Sequence, residues 1–338
     1  MANYFSGQDA KVVHVAQTTF GTDPSMATAG TIKGTSAFDI SHDLNVREGD
    51  QVTGTRWRVD GDVRTDQNEA MPTIGEDVVV FKANFSDQLY AHFQSVTEEA
   101  TTPYKKTFVY HATQPDFTTN AGFFETLVLE NPDGNQTDVV FKDVITQEMT
   151  ATVEPRGELQ LSLSHVSRGS GSASLSYVGN TTRAVTDTYA FTGLTDHHFN
   201  GVAFNPIGPI EVTSTQTITG VGVDAAGDGR FQTYLLTDKK ATFKAKINFD
   251  KVARDMKFNF VNDRPVTMLL GWGTSGRQFT TPVGSVDGDL NFSGSIKLTS
   301  WQEDLSQAYA VDIEGEFLGS QTKSPLEVIF ADGVDHAY

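Results

Sequence analysis

The sequence contains no cysteine. That excludes a disulfide framework, thiolate metal sites and cysteine nucleophiles, and it fits folding in a reducing cytosol. No apolar run approaches the roughly 20 residues needed to span a bilayer. The opening Met1–Ser6 stretch has no basic segment followed by an apolar one, so it does not read as a signal peptide. The expectation is a soluble protein made inside a cell. Basic residues are also few: 25 Lys and Arg stand against 43 Asp and Glu, for a net charge of −18. Ordinary nucleic-acid binding needs Lys and Arg to displace counterions from phosphates, so that class is disfavoured. An excess of this sign serves solubility through repulsion, and it equally suits a surface that must not adhere to a polyanion.

Motifs that carry chemistry are missing too. The sequence has no Gly-x-Ser-x-Gly, no P-loop and no His-Glu-x-x-His. Gly271-Trp272-Gly273-Thr274-Ser275-Gly276 matches G-x-G-x-x-G. A dinucleotide site requires that loop to open a long helix, and Arg277 to Pro282 is not helical, so a glycine turn after a short helix is expected. His197 and His198 are adjacent, and adjacent strand residues point to opposite faces, so they do not chelate one ion. Asp224 with Asp228, and Asp287 with Asp289, lack EF-hand spacing and read as turn residues. No catalytic residue, cofactor or metal is expected.

What the sequence does have is alternation. Met149, Ala151 and Val153 alternate with polar residues, as do Leu159, Leu161 and Leu163, and Glu154-Pro155-Arg156-Gly157-Glu158 lies between them. Period-two patterning around Pro-x-Gly reads as a β-hairpin over 138–169 with one buried face. Leu290, Phe292, Ile296 and Leu298 repeat the pattern, followed by an expected turn at Gln302-Glu303-Asp304 and a strand placing Tyr309, Val311, Ile313 and Phe317 together. Asp312, Glu314 and Glu316 fall on that strand's other side, either a solvated outer face or one that repels DNA.

Further strands are expected at 51–59, 78–81, 108–111, 123–130, 210–223 and 231–248. Helices are expected at 86–96, with Ser86 as a cap, and at 263–270, with Pro265 in the first turn. A capping residue after Asn248-Phe249 also opens a short helical pattern at Asp250-Lys251. Asp60 to Asp77 reads as an unusually long loop between strands, a feature that is commonly functional. The Gly/Ser-rich 167–176 stretch, with 179–183, reads as a link. Phe81-Lys82-Ala83 before the first helix resembles Phe243-Lys244-Ala245 before the second pattern, which suggests a duplicated β-rich unit. The expected organisation is an arm over 1–31 with little regular structure, one copy over 32–183 and another over 184–338.

These segments resemble the major tail tube proteins of long-tailed, siphovirus-type bacteriophages, of the kind with two tandem copies of the tube fold. The resemblance rests on the hairpin Val139 to Arg168, the strand-to-helix segment Phe81 to Phe93 and the long acidic loop. It covers most of the chain with motifs of low specificity. It implies a mainly β protein: two tandem β-sandwich or barrel units, each with a short flanking helix, whose sheets join those of neighbouring subunits. It implies a structural virion protein rather than an enzyme, assembled in the host cytoplasm into stacked trimeric, pseudo-hexameric rings. Those rings form an acidic-lined conduit through which DNA passes without specific binding. The implied partners are the protein itself, a tape measure protein, a tail terminator and distal tail or baseplate proteins, with no membrane. An inter-ring contact is expected from Asp60, Asp62, Arg64, Asp66, Glu69 and Met71, and a lumen or interface face from Asp312, Glu314 and Glu316. The rival readings are a carbohydrate-binding or adhesive β-sandwich, using Trp57, Trp272, Trp301 and nine Tyr as stacking platforms, and an all-β hydrolase using two carboxylates.

Overall fold

A computed structural model describes residues 11–17, 20–21, 31–32, 35–41, 45–48, 63–66, 71–79, 86–100, 104–117, 122–129, 138–173, 189–222, 232–273, 278–281, 284–287, 289–304, 309–320 and 323–331. The first half contributes β1 (Lys11–Gln17), β2 (Thr31–Ile32), β3 (Thr35–Ser41), β4 (Asn45–Glu48), β5 (Val63–Asp66), β6 (Thr73–Val79), α1 (Ser86–Phe93), β7 (Val96–Glu98), β8 (Lys105–Val109), β9 (Phe123–Leu129), β10 (Asp138–Val153), β11 (Leu159–Val166) and β12 (Gly169–Ala173). The second half contributes β13 (Leu194–Phe199), β14 (Val202–Ala203), β15 (Pro206–Val221), β16 (Thr233–Asn248), α2 (Lys251–Val261), β17 (Val266–Trp272), β18 (Gln278–Thr281), β19 (Gly284–Asp287), β20 (Leu290–Asp304), β21 (Ala310–Leu318) and β22 (Leu326–Ala331). The protein is mainly β, and its strands pair antiparallel throughout the described residues.

The alternating hairpin forms as its pattern dictates. Met149, Ala151 and Val153 on β10, with Leu159, Leu161 and Leu163 on β11, are buried, and the residues between them face outward. Each such Leu side chain removed from water contributes about 1.5–3 kcal/mol. The turn closes with Gly157 N donating to the Glu154 carbonyl at 2.8 Å. It is Arg156, not Gly157, that takes a positive φ of 69°. The echo is also a hairpin, β20 with β21, but β20 runs on through Gln302-Glu303-Asp304, where a turn was expected. Val311, Ile313 and Phe317 are buried, whereas Tyr309 is 62% exposed and does not share their face.

The two halves are built alike. β1 pairs with β9 and β9 with β10, just as β13 pairs with β17 and β17 with β20. β10 pairs with β11 and β12, just as β20 pairs with β21 and β22. β3–β6–β11–β10 is thus repeated as β15–β16–β21–β20. The two sets are joined by β10 pairing with β15 over Glu148–Val153 and Ile210–Thr215, giving one sheet of eight strands. The core is continuous across that junction: Leu161, Ala151, Val212 and Phe243 lie in one cross-strand row on the buried face. The halves also exchange a piece, because the β7–β8 hairpin of the first half pairs through β8 with β22 of the second.

Several expectations are corrected. The start of the chain is not wholly irregular, since Lys11–Gln17 is a strand against β9. The long loop is interrupted by β5 and ends early, because β6 begins at Thr73. The Gly/Ser stretch is in part a strand, β12, and its remainder from 174 to 183 lies outside the described residues. The helix expected at 263–270 does not form: Val266–Trp272 is strand β17, buried on both faces. The helix lies just before it as α2, where Asp250 accepts from Ala253 N at 3.0 Å in an N-cap. Gly271 therefore lies in strand β17, and among the described residues no helix N-terminus follows it to receive a pyrophosphate. The segments 51–59, 131–135 and 224–229 lie outside the described residues.

Candidate functional site

The eight-stranded sheet has one face on the core and one polar face, and both repeats contribute to the polar face. Its side chains come from the alternate positions of the same strands, so core and surface are fixed by a single register. One cross-strand row runs Asp39, Gly75, Ser164, Glu148, Thr215, Lys240 from β3 to β16. A parallel row runs Thr152, Glu211, Lys244, Glu314, Ser300 from β10 to β20. The junction is marked on this face by Thr150 and Thr213, whose hydroxyls lie 3.1 Å apart.

Charge is unevenly spread over it. In the second half Asp312, Glu314 and Glu316 do share the face, as their spacing predicts, but β16 interleaves lysines with them. Lys246 lies 3.7 Å from Asp312, Lys244 4.0 Å from Glu314 and 3.7 Å from Glu211, and Lys240 3.7 Å from Glu316. Exposed pairs of this kind each contribute under about 1 kcal/mol, so they set the local potential more than the stability. In the first half a shallow groove opens over Gly75, bordered by Asp39, Asp77, Glu148, Ser162 and Ser164. Its strands β3, β6, β11 and β10 place no Lys or Arg on this part of the face among the described residues. The more acidic half is therefore the first, not the strand carrying Asp312, Glu314 and Glu316.

The other expected contact residues are scattered. Arg64 and Asp66 lie on β5, opposite Arg47 and Asn45 of β4. Met71 is half-buried against Phe117, Ile145, Val166, Ile218, Tyr234 and Leu236. Asp60, Asp62 and Glu69 lie outside the described residues. His197 and His198 sit half-buried on β13, with His198 Nδ1 3.8 Å from Asp196. Among the described residues no group of three or more His, Cys, Asp or Glu is placed to hold a metal ion. Asp289 is buried, and Asp224 and Asp228 lie outside the described residues.

Beneath the polar face runs a buried polar network that no local pattern announces. Glu76 of β6 points into the core, where its two oxygens meet His14 Nε2 of β1 at 3.1 Å and His165 Nε2 of β11 at 3.0 Å. Burial alone would raise the Glu76 carboxyl. The charge and hydrogen bond of His14, with those of His165, outweigh it and hold the carboxyl well below the usual carboxylate range. His165 Nδ1 lies 2.9 Å from the Thr146 hydroxyl. The Thr146 carbonyl accepts from His92 Nδ1 of α1 at 3.2 Å and from Gln216 Nε2 of β15 at 2.8 Å.

His92 Nε2 lies 2.5 Å from Ser214 Oγ, which also meets the Tyr110 hydroxyl. Burial pushes His92 down to about 3, so it is neutral. It donates through Nδ1 to Thr146, which leaves Nε2 to accept from Ser214. A serine beside an imidazole has the makings of a nucleophile and its base. Both side chains are wholly buried, however, so no substrate reaches them. Their part is to tie α1 and β10 of the first half to β15 of the second.

The rival platforms for sugar stacking are not offered by the described tryptophans. Trp272 is buried, and Trp301 is half-buried with Phe260 stacked over it at 6.3 Å; Trp57 lies outside the described residues. Among the described residues no helix is long and apolar enough to cross a membrane. No protein-family model matches the chain, and no curated protein matches its sequence.

Proposed function

We propose that this chain is a structural subunit that builds a tube, a major tail tube protein of a long-tailed bacteriophage, with its polar sheet face turned to the lumen. The observation that carries this reading is the repeated strand order β3–β6–β11–β10 and β15–β16–β21–β20, fused into one continuous sheet with a core on one face only. A wall has to be broad, regular and finished differently on its two sides, and this sheet is all three. Two like units in one chain suit a trimeric ring of pseudo-sixfold symmetry. The acidic first half of the face suits a channel that DNA slides through without adhering. In this reading the tape measure protein, tail terminator and distal tail proteins are partners at the lumen and the tube ends. The segment around β4 and β5 carries the contact between rings.

Negative-stain electron microscopy of the purified protein tests the reading. Rings or hollow tubes of constant width are expected. Monodisperse single chains at every concentration and ionic strength would overturn it.

A further inference from the structure

We infer that the groove over Gly75, on the polar face of the first repeat, is a binding site for a linear aliphatic polyamine whose ammonium groups pair with Asp39 and Glu148. The site stands on its own geometry, whether or not the chain builds a tube.

The second repeat shows what the same place holds when it is filled. β10 and β20 carry matching irregularities, one between Thr146 and Glu148 and one between Leu298 and Ser300. Alignment on these matches Glu148 to Ser300. The pairings that follow match Ser164 to Glu314, Gly75 to Lys244 and Asp39 to Glu211. The row Glu211–Lys244–Glu314–Ser300 of the second repeat is therefore the row Asp39–Gly75–Ser164–Glu148 of the first. In the second, Lys244 Nζ lies 3.7 Å from Glu211 and 4.0 Å from Glu314. Two residues on, Lys246 Nζ lies 3.7 Å from Asp312, and its counterpart in the first repeat is Asp77. The first repeat thus keeps two carboxylates in the row and has glycine and an acid where the second has its two lysines.

Backbone geometry does not require glycine at 75. Its φ lies outside the left-handed region, and a Cβ there would meet only the Asp39 Cβ, at 3.8 Å, an ordinary van der Waals contact. Glycine inside a strand weakens it, and it marks places where a ligand or another backbone comes close. The space left is a groove of about 580 Å³, the size of a small-molecule site. The lysine that ends this row on β16, Lys240, is engaged elsewhere, 3.7 Å from Glu316.

The floor of the groove sets the shape of the ligand. Asp39 and Glu148 are exposed and stand three strand steps apart, about 14 Å between backbones. A single ammonium reaches one of them. A linear polyamine reaches both, with its methylenes lying over Gly75 and Ser164 and the Ser162 and Ser164 hydroxyls beside it as acceptors. A bare divalent metal ion needs several oxygens converging on one point, which carboxylates so far apart do not supply.

Equilibrium dialysis against radiolabelled spermidine tests the site, at about 0.15 M salt so that diffuse attraction to the chain's net charge of −18 is screened. Saturation at one spermidine per chain is expected. Butylamine, with its single ammonium, should bind about tenfold more weakly, because the second pairing is no longer tethered to the first. Gly75→Lys places a built-in ammonium where Lys244 stands in the second repeat and is expected to abolish saturable binding. Gln302→Lys makes the same change of charge on an exposed position of β20 and is expected to leave binding intact. Asp39→Asn with Glu148→Gln keeps the shape of both side chains and should weaken spermidine about tenfold. That pair decides the matter should Gly75→Lys fail to fold. Uptake that never saturates, or that Gly75→Lys and the paired amides leave unchanged, overturns the site and leaves the tube reading standing.

Discussion

Replacing Glu76 by glutamine tests whether the buried network holds the N-terminal strand and the sheet together. The carboxylate lies between His14 of β1 and His165 of β11, all three buried. Where either histidine is protonated the contact is a buried ion pair, and removing one partner of such a pair costs about 3–5 kcal/mol because the other charge is left uncompensated. Glutamine keeps the shape and one accepting oxygen, and a retained hydrogen bond is worth about 1 kcal/mol. The expected loss is therefore about 2–4 kcal/mol near neutral pH, read as a lower midpoint in urea unfolding followed by tryptophan fluorescence. The pH dependence has a definite sign. A carboxyl whose folded pKa lies below its unfolded value, about 4.3 for glutamate, stabilises the fold above that value. The contribution is withdrawn as pH falls from there towards the folded pKa, which His14 and His165 set low against the opposing effect of burial. The native protein and Glu76→Gln should thus differ above pH about 4.3 and converge as pH falls below it. A loss under about 1 kcal/mol at neutral pH, with the same acid limb in both proteins, would refute the argument.

Asp250→Ala removes the side-chain acceptor for Ala253 N at the start of α2 and should cost about 1 kcal/mol, measured by urea unfolding. Lys244→Ala should change stability by less than about 0.5 kcal/mol, because its partners Glu211 and Glu314 are themselves well exposed. Lys244→Glu adds like charges across three neighbouring strands and should destabilise measurably at low salt, with the effect shrinking as salt is added. A salt-independent loss would place the residue's role in packing instead.

The fold was most legible where one strand face meets the core and the other meets water. β10 over 149–153, with β11 and β21, alternates buried and outward residues, so these buried side chains were named from the sequence alone, whereas Tyr309 was placed with them and is exposed. β17 was misread because V-T-M-L-L-G-W is buried on both faces and has no alternation to separate strand from helix, while Pro265 mimics a helix start. β12 was misread because G-S-G-S-A has linker composition and takes its strand form from pairing with β10. Of the local marker read for a duplication, Phe243-Lys244-Ala245 lies within β16 and Phe81-Lys82-Ala83 lies outside the described residues.

The acidic strand was found, and its neutralisation was not. Asp312, Glu314 and Glu316 look uniform in sequence, while the lysines that answer them come from β16, which the sheet order places beside β21. The partners in the buried network were not legible. Glu76 occupies a core position in T-I-G-E-D-V-V, where a charge reads as a break in the pattern, and His14 and His165 lie far from it along the chain. One usable signal was present: a glutamate two residues after Ile74 on the inward face requires a buried partner of opposite charge.

The most direct measurement of the central claim is an electron cryo-microscopy map of the assembled protein. The account predicts a hollow tube whose wall is the eight-stranded sheet, with Asp39, Glu148, Lys244 and Glu314 facing the lumen and α1 and α2 lying outside it. A tube with the helices inward, or a discrete particle with no lumen, would contradict it.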